Sequence, residues 1–244
     1  MQINIFQNEE ELILALANYV VESAKQAIAK NKKFSIVLSG GNSPKKLYAL
    51  LSSDQFREKI QWAYVYFFFG DERYVPSTDP ESNYGMVKTV LFDPLHIQES
   101  HIFPVDTRLN TTAAAQQYAE RISNYFAGED WRFDLVLLGL GDNAHTASLF
   151  PSTPVLLDTK PSVSSVFLTD KSVFRITMNA PLLNQAHHIA FLVYGEGKAM
   201  AVKHVLEDSF NADHFPAQLI APHNGELTWF LDTKAASQLQ KRVD

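Results

Sequence analysis

The sequence predicts an α/β fold with three layers, α/β/α, built on a largely parallel, Rossmann-like sheet covered by helices on both faces. Three observations carry this expectation. Segments with strand character alternate with helical segments along the chain. Several of the strands are unbroken apolar runs rather than alternating ones, as needed when both faces of a strand are covered. Four of these runs end in polar, glycine-containing clusters, and ligands of open α/β sheets bind outside the carboxyl ends of the strands.

The elements follow in order. Residues 9–30 place Leu12, Leu16, Val20, Ala24 and Ile28 at helical spacing, with Ile13, Ala17 and Val21 widening the stripe. "FSIVLS" (34–39) reads as a short apolar strand ending in "GGNSP". The helix "PKKLYALLSS" follows, with Ser43 as its N-cap and Pro44 at its first position. "YVYFFFG" (64–70) reads as a strand and "ESNYGMVKTVLF" (81–92) as a helix. "TTAAAQQYAERISNYF" (111–126) reads as a helix capped by Asn110 or Thr111. "FDLVLLG" (133–139) is a further strand, and "SSVFLT" (164–169) and "VFRITM" (173–178) are two that pair through an Asp170-Lys171 turn. "PLLNQA" is a short helix, "HIAFLVYG" (188–195) a strand and "GKAMAVKHVLED" a helix. "QLIAP" and "ELTWFLD" (226–232) are expected to complete the sheet, and "TKAASQLQ" to form a terminal helix. No internal repeat or linker interrupts the pattern, so residues 1–244 are expected to form a single domain.

Composition narrows the function. The 244 residues are 46% hydrophobic and 20% charged, ordinary globular values. There is no cysteine, which excludes disulfides, thiolate zinc sites and a cysteine nucleophile. The formal net charge of −6 argues against nucleic acid as partner. The N-terminus lacks the basic start of a signal peptide, and "WAYVYFFF" is too short to cross a bilayer, so a cytoplasmic protein with no membrane partner is expected. An anionic ligand would need a local cluster of Lys, Arg and backbone N–H groups.

Four strand ends supply candidates: "SGGNSP", "GDERYVP", "GLGDNAHTASLFP" and "YGEGKA". Gly40 and Gly41 let backbone N–H groups approach a ligand, and the helix behind them offers its positive end; a phosphate fits, and so does a plain tight turn. The Walker spacing is absent. Gly139 and Gly141 begin the dinucleotide pattern with Ala144 in its third place, so nucleotide binding stays open as an alternative. Arg73 could hold an anion, with Asp71 structural or handling protons, or the pair could be a surface turn. His145 is the leading candidate for chemistry, because an imidazole takes and returns a proton near neutrality. Asp142 and Asn143 are placed to orient its ring. Ser148 reads as a capping or packing serine, since G-x-S-x-G is absent. No metal-ligand spacing is present, and no metal or organic cofactor is expected.

Taken together, "LSGGNSPKKLY", "FFGDERYVP", "ESNY", "HTASLFP", "FRITM" and "GEGKA" occur in the order shown by the 6-phosphogluconolactonase family, which this chain resembles over nearly its whole length. The resemblance implies hydrolysis of 6-phospho-D-glucono-1,5-lactone to 6-phosphogluconate, a step of the oxidative pentose phosphate pathway. It implies His145 as general base, with Arg73 or backbone N–H groups facing the oxyanion. It also implies a phosphate seat at Gly40, Gly41, Asn42 and Ser43, closed by Arg175 and Lys198. The family shares its fold with glucosamine-6-phosphate isomerase/deaminase, whose glutamate position is occupied here by Phe150. Where the family reads Asp-Gly before the histidine, this chain has Asn143 and Ala144, and an alanine at positive φ would cost about 1 kcal/mol or more. These two changes keep a non-catalytic sugar-phosphate-binding protein as a further alternative. The oligomeric state is left open between monomer and homodimer.

Overall fold

In a computed structural model, residues 1–240 are described. The main sheet has six parallel strands, β1 (Gln2–Phe6), β2 (Phe34–Leu38), β3 (Val65–Phe69), β5 (Leu135–Leu138), β8 (His188–Val193) and β9 (Glu226–Asp232), in the order β1-β9-β8-β5-β2-β3. A second, antiparallel sheet joins β4 (Asp71–Arg73) to β7 (Val173–Met178) and β7 to β6 (Val163–Leu168). The helices are α1 (Glu9–Asn31), α2 (Asn42–Leu51), α3 (Asn83–Val87), α4 (Asp93–Leu95), α5 (Thr111–Tyr125), α6 (Ala180–Leu183) and α7 (Ala199–Leu206).

The apolar runs divide by alternation into two cores. Ile36, Leu38, Phe67, Phe69, Leu135, Leu137, Ala190 and Leu192 pack with Leu12, Leu16 and Val20 of α1 and Leu47 and Tyr48 of α2. The intervening Val37, Phe68, Val136, Leu138, Phe191 and Val193 pack with Ala114, Tyr118 and Ile122 of α5 and with Ala201 and Val202 of α7. Each strand therefore needs apolar residues at successive positions, which is why its hydrophobicity does not alternate. The expected three-layer α/β/α arrangement is present.

The chain leaves the parallel sheet at Gly70. Its N–H donates to Leu38 O at 3.0 Å and its O accepts from Met178 N at 2.8 Å, so this residue joins the two sheets. Strands β6 and β7 pair as a hairpin, as expected, but in this separate sheet.

Several local expectations are corrected. The helix α2 begins at Asn42 with Gly41 as its N-cap, at φ 99° and without a side-chain cap, so Ser43 is not the cap and Pro44 is not first. "QLIAP" is not a strand: Pro216–Leu219 forms a 3-10 turn, and Ala217 and the following Ile220 pack into the core instead of into a sheet. "TKAASQLQ" is a run of turns anchored by Asp232, whose Oδ1 accepts from Ala235 N at 2.7 Å. The helical stretch expected at 81–92 starts at Asn83 and widens to a π-turn over Lys88–Phe92. Strands β1 and β4 were not anticipated: β4 is three residues long with no apolar residue, and β1 alternates Ile3 and Ile5 with Gln2 and Asn4 instead of forming an unbroken apolar run. No helix among the described residues is long and apolar enough to cross a membrane.

Candidate active site

A cavity of about 380 Å³ opens at the carboxyl ends of β2, β5 and β8, beside the β4–β7 sheet. Gly40, Gly41, Asn42, Ser43, Asp71, Arg73, His145, Arg175 and Lys198 all line it. Asp142 and Asn143 stand directly behind that lining, each bonded to a residue within it. Asn83, Lys171 and Tyr194 also line it, although nothing in the sequence assigns them a part in a site, and so does Phe150, marked there only as standing at the deaminase glutamate position. His187 and His188 lie at the opposite end of the sheet, where β8 begins.

The loop after β5 is folded around His145. Gly141 N donates to His145 O at 2.8 Å, and Thr146 Oγ1 donates to Gly139 O at 2.8 Å. Gly141 has no room for a side chain: a Cβ there would lie 2.0 Å from two atoms of the His145 ring. This glycine makes space for the imidazole. Ala144 takes the left-handed conformation at φ 58°, a strained backbone for an alanine.

Asn143 Oδ1 faces His145 Nδ1 at 2.5 Å. An amide oxygen only accepts, so this contact puts the ring proton on Nδ1 and leaves the Nε2 lone pair free. Phe150 stacks on the ring with centroids 3.9 Å apart. Burial is the main reason the imidazole's pKa falls from 6.5 to about 4, and the charges of Lys171, Lys198 and Arg175 add to it. Asp142 acts the other way, but it is paired with Lys198 at 2.5 Å rather than with the ring. At neutral pH the ring is an uncharged base.

The adjoining wall is cationic. Arg73 and Arg175 are register partners across β4 and β7. Arg73 Nη1 donates to Glu81 O at 2.7 Å. Burial, and after it the charge of Arg73, lowers the Arg175 pKa. Ser148 is buried, and its hydroxyl donates to Asp71 Oδ2 at 2.6 Å, so this serine orients a cavity carboxylate rather than capping a helix. Glu72 is buried next to it and accepts from the backbone N–H groups of Arg73, Asn83 and Tyr84 at 2.7 to 2.8 Å. Burial raises its pKa, and those donors oppose the rise.

The remaining wall is the start of α2. Its first N–H groups have no side-chain cap, which leaves them for an anion. Gly40 fits against the buried Asn83, whose Oδ1 would lie 1.7 Å from a Cβ. Tyr48 OH accepts from Ser39 N at 3.0 Å and donates to Ser39 O at 2.8 Å, fixing the strand end. Among the described residues no group of three or more His, Asp or Glu side chains is placed to hold a metal ion.

A family model described as glucosamine-6-phosphate isomerases/6-phosphogluconolactonase matches residues 7–229. The chain is 36% identical to a 6-phosphogluconolactonase of Synechocystis, over 98% of each chain. It is also 36% identical to the human 6-phosphogluconolactonase, over 97% of this chain and 93% of the relative. Its structure superposes on the 6-phosphogluconolactonase of Trypanosoma cruzi with a TM-score of 0.85 at 28% identity, covering 98% and 97% of the two chains.

Proposed function

Because the chain belongs to the glucosamine-6-phosphate isomerase/6-phosphogluconolactonase family, we propose that it hydrolyses 6-phospho-D-glucono-1,5-lactone to 6-phosphogluconate. The observation that carries this reading is one cavity holding a neutral imidazole, an uncapped helix start and a cationic wall. The whole chain serves as one catalytic unit of the cytoplasm, acting on a sugar phosphate without metal or organic cofactor.

The chemistry follows from the side chains. The phosphate rests on the backbone of Gly40, Gly41, Asn42 and Ser43, with Arg175 and Lys198 closing on it. His145 Nε2 takes a proton from water as the water oxygen bonds to C1. The carbonyl electron pair moves onto its oxygen, and cationic or N–H donors stabilise that oxyanion. Arg73 is one such donor. Collapse of the tetrahedral intermediate breaks the bond from C1 to the ring oxygen, and protonated His145 returns its proton to that oxygen. The acid formed loses its proton to solvent. Asn143 keeps the ring in the tautomer this sequence needs, and Asp71, held by Ser148, orders the wall beside Arg73.

The deaminase reading requires a carboxylate where Phe150 stacks on His145, and phenylalanine carries no proton. The test is a pair of assays on purified protein. Lactone opening well above the spontaneous rate, with no ammonia from glucosamine 6-phosphate, is the expected result; the reverse pattern overturns the proposal. Arg175→Ala is expected to raise KM for the phosphorylated lactone at least tenfold with a smaller change in kcat.

A further inference from the structure

We propose that Lys171, in the turn of the β6–β7 hairpin, is a second cation, beside Arg73, that meets the lactone carbonyl oxygen as it becomes an oxyanion, and later the new carboxylate. The inference rests on the lactonase reading above and assigns one further residue to that reaction.

Four cationic side chains line the cavity, and their surroundings differ. Lys198 is neutralised in part by Asp142. Arg73 is tied to Glu81 O, and Arg175 lies opposite it across the β4–β7 pair. Lys171 forms no ion pair and no side-chain hydrogen bond among the described residues. Its Nζ stands over the Phe150 ring, 5.4 Å from the centroid, and that ring is the one stacked on His145. Lys171 therefore sits at the end of the cavity where the base is. The phosphate seat belongs to another wall, at the start of α2.

The charged groups acting on His145 are Lys171, Lys198, Asp142 and Arg175. Among the three cations Lys171 acts most strongly on the ring. An ammonium on a flexible stem follows charge from the oxyanion to the product carboxylate as a point charge, without requiring a fixed hydrogen-bond fork. No bond changes at Lys171 itself. It stays protonated while the C1 oxygen gains and then shares the electron pair described above.

Lys171 is exposed at a hairpin tip, so its replacement leaves the core intact. The test compares Lys171→Met and Lys171→Arg with the unaltered protein, recording kcat, KM and the pH profile of kcat/KM. In Lys171→Met kcat should fall roughly 10- to 100-fold, with KM within about threefold of the original. The acid limb should move to higher pH, because removing a positive charge eases protonation of His145. Lys171→Arg should keep both properties near those of the parent. A rise in KM at unchanged kcat would place Lys171 on the phosphate and overturn the proposal. An acid limb that stays in place, or full activity in Lys171→Met, would overturn it as well. Absence of lactone opening in the unaltered protein would instead sink the parent reading, so the two failures are distinguishable.

Discussion

His145 is a base that stays unprotonated well into the acid range. Its conjugate acid forms only near pH 4, because burial and neighbouring cations disfavour a charged ring. The acid limb of kcat/KM should have its midpoint close to 4 instead of the ordinary 6.5, read from initial rates corrected for spontaneous opening. A midpoint at 6.5 would show the ring to be solvated. The same depression means the unfolded chain takes up this proton first as pH falls. The contribution of His145 to stability therefore declines from pH 6.5 down towards 4 and is complete above 6.5. Gly141 offers a steric test. Gly141→Ala drives a methyl into the ring and should cut kcat about 100-fold, the usual cost of roughly 1 Å of misplacement. The imidazole and its glycines were legible in the sequence because they lie within one loop. The reason for Gly141 was not: the sequence suggested a backbone close to ligand, whereas the space is taken by the chain's own histidine.

The element that assembles the cationic wall is β4, three residues long. Glu72 at its centre holds the backbone of Arg73, Asn83 and Tyr84 and so joins the strand to α3. Glu72→Gln would turn an amide N–H₂ towards donors that need an acceptor. The expected cost is about 2–4 kcal/mol in urea unfolding, together with a higher KM as Arg73 and Asn83 lose their register. An unchanged urea midpoint would contradict this role. Strands β2, β3, β5 and β8 were readable as apolar runs because both of their faces are covered. Strand β4 was hidden in "DERYVP", since its pairing with β7 depends on a partner about a hundred residues away. The same distance hid Lys171, whose place at the cavity follows from where the hairpin docks. The "QLIAP" segment misled because its apolar content fits a strand, while the structure folds Pro216–Leu219 into a 3-10 turn that packs Ala217 and the following Ile220 into the core.

At the scale of the whole molecule, a chain of net charge −6 gathers four cationic side chains around one cavity. An anionic substrate is repelled by the surface as a whole and drawn to that cleft. Cleft attraction should dominate at short range, so kcat/KM for the phosphorylated lactone should fall as salt rises through the range where the Debye length drops below about 10 Å. An uncharged lactone should show no such dependence. The layered plan was legible from the alternation of strands and helices. The second sheet was not: its β6–β7 hairpin was expected, but nothing in the sequence told that the hairpin pairs with β4 instead of joining the parallel strands. The central claim is that His145 supplies the base for lactone opening, and the most direct measurement is turnover by His145→Ala beside the unaltered protein. The account predicts a loss of roughly 10²–10⁴-fold in kcat with the fold retained. Turnover by His145→Ala equal to that of the parent would contradict it.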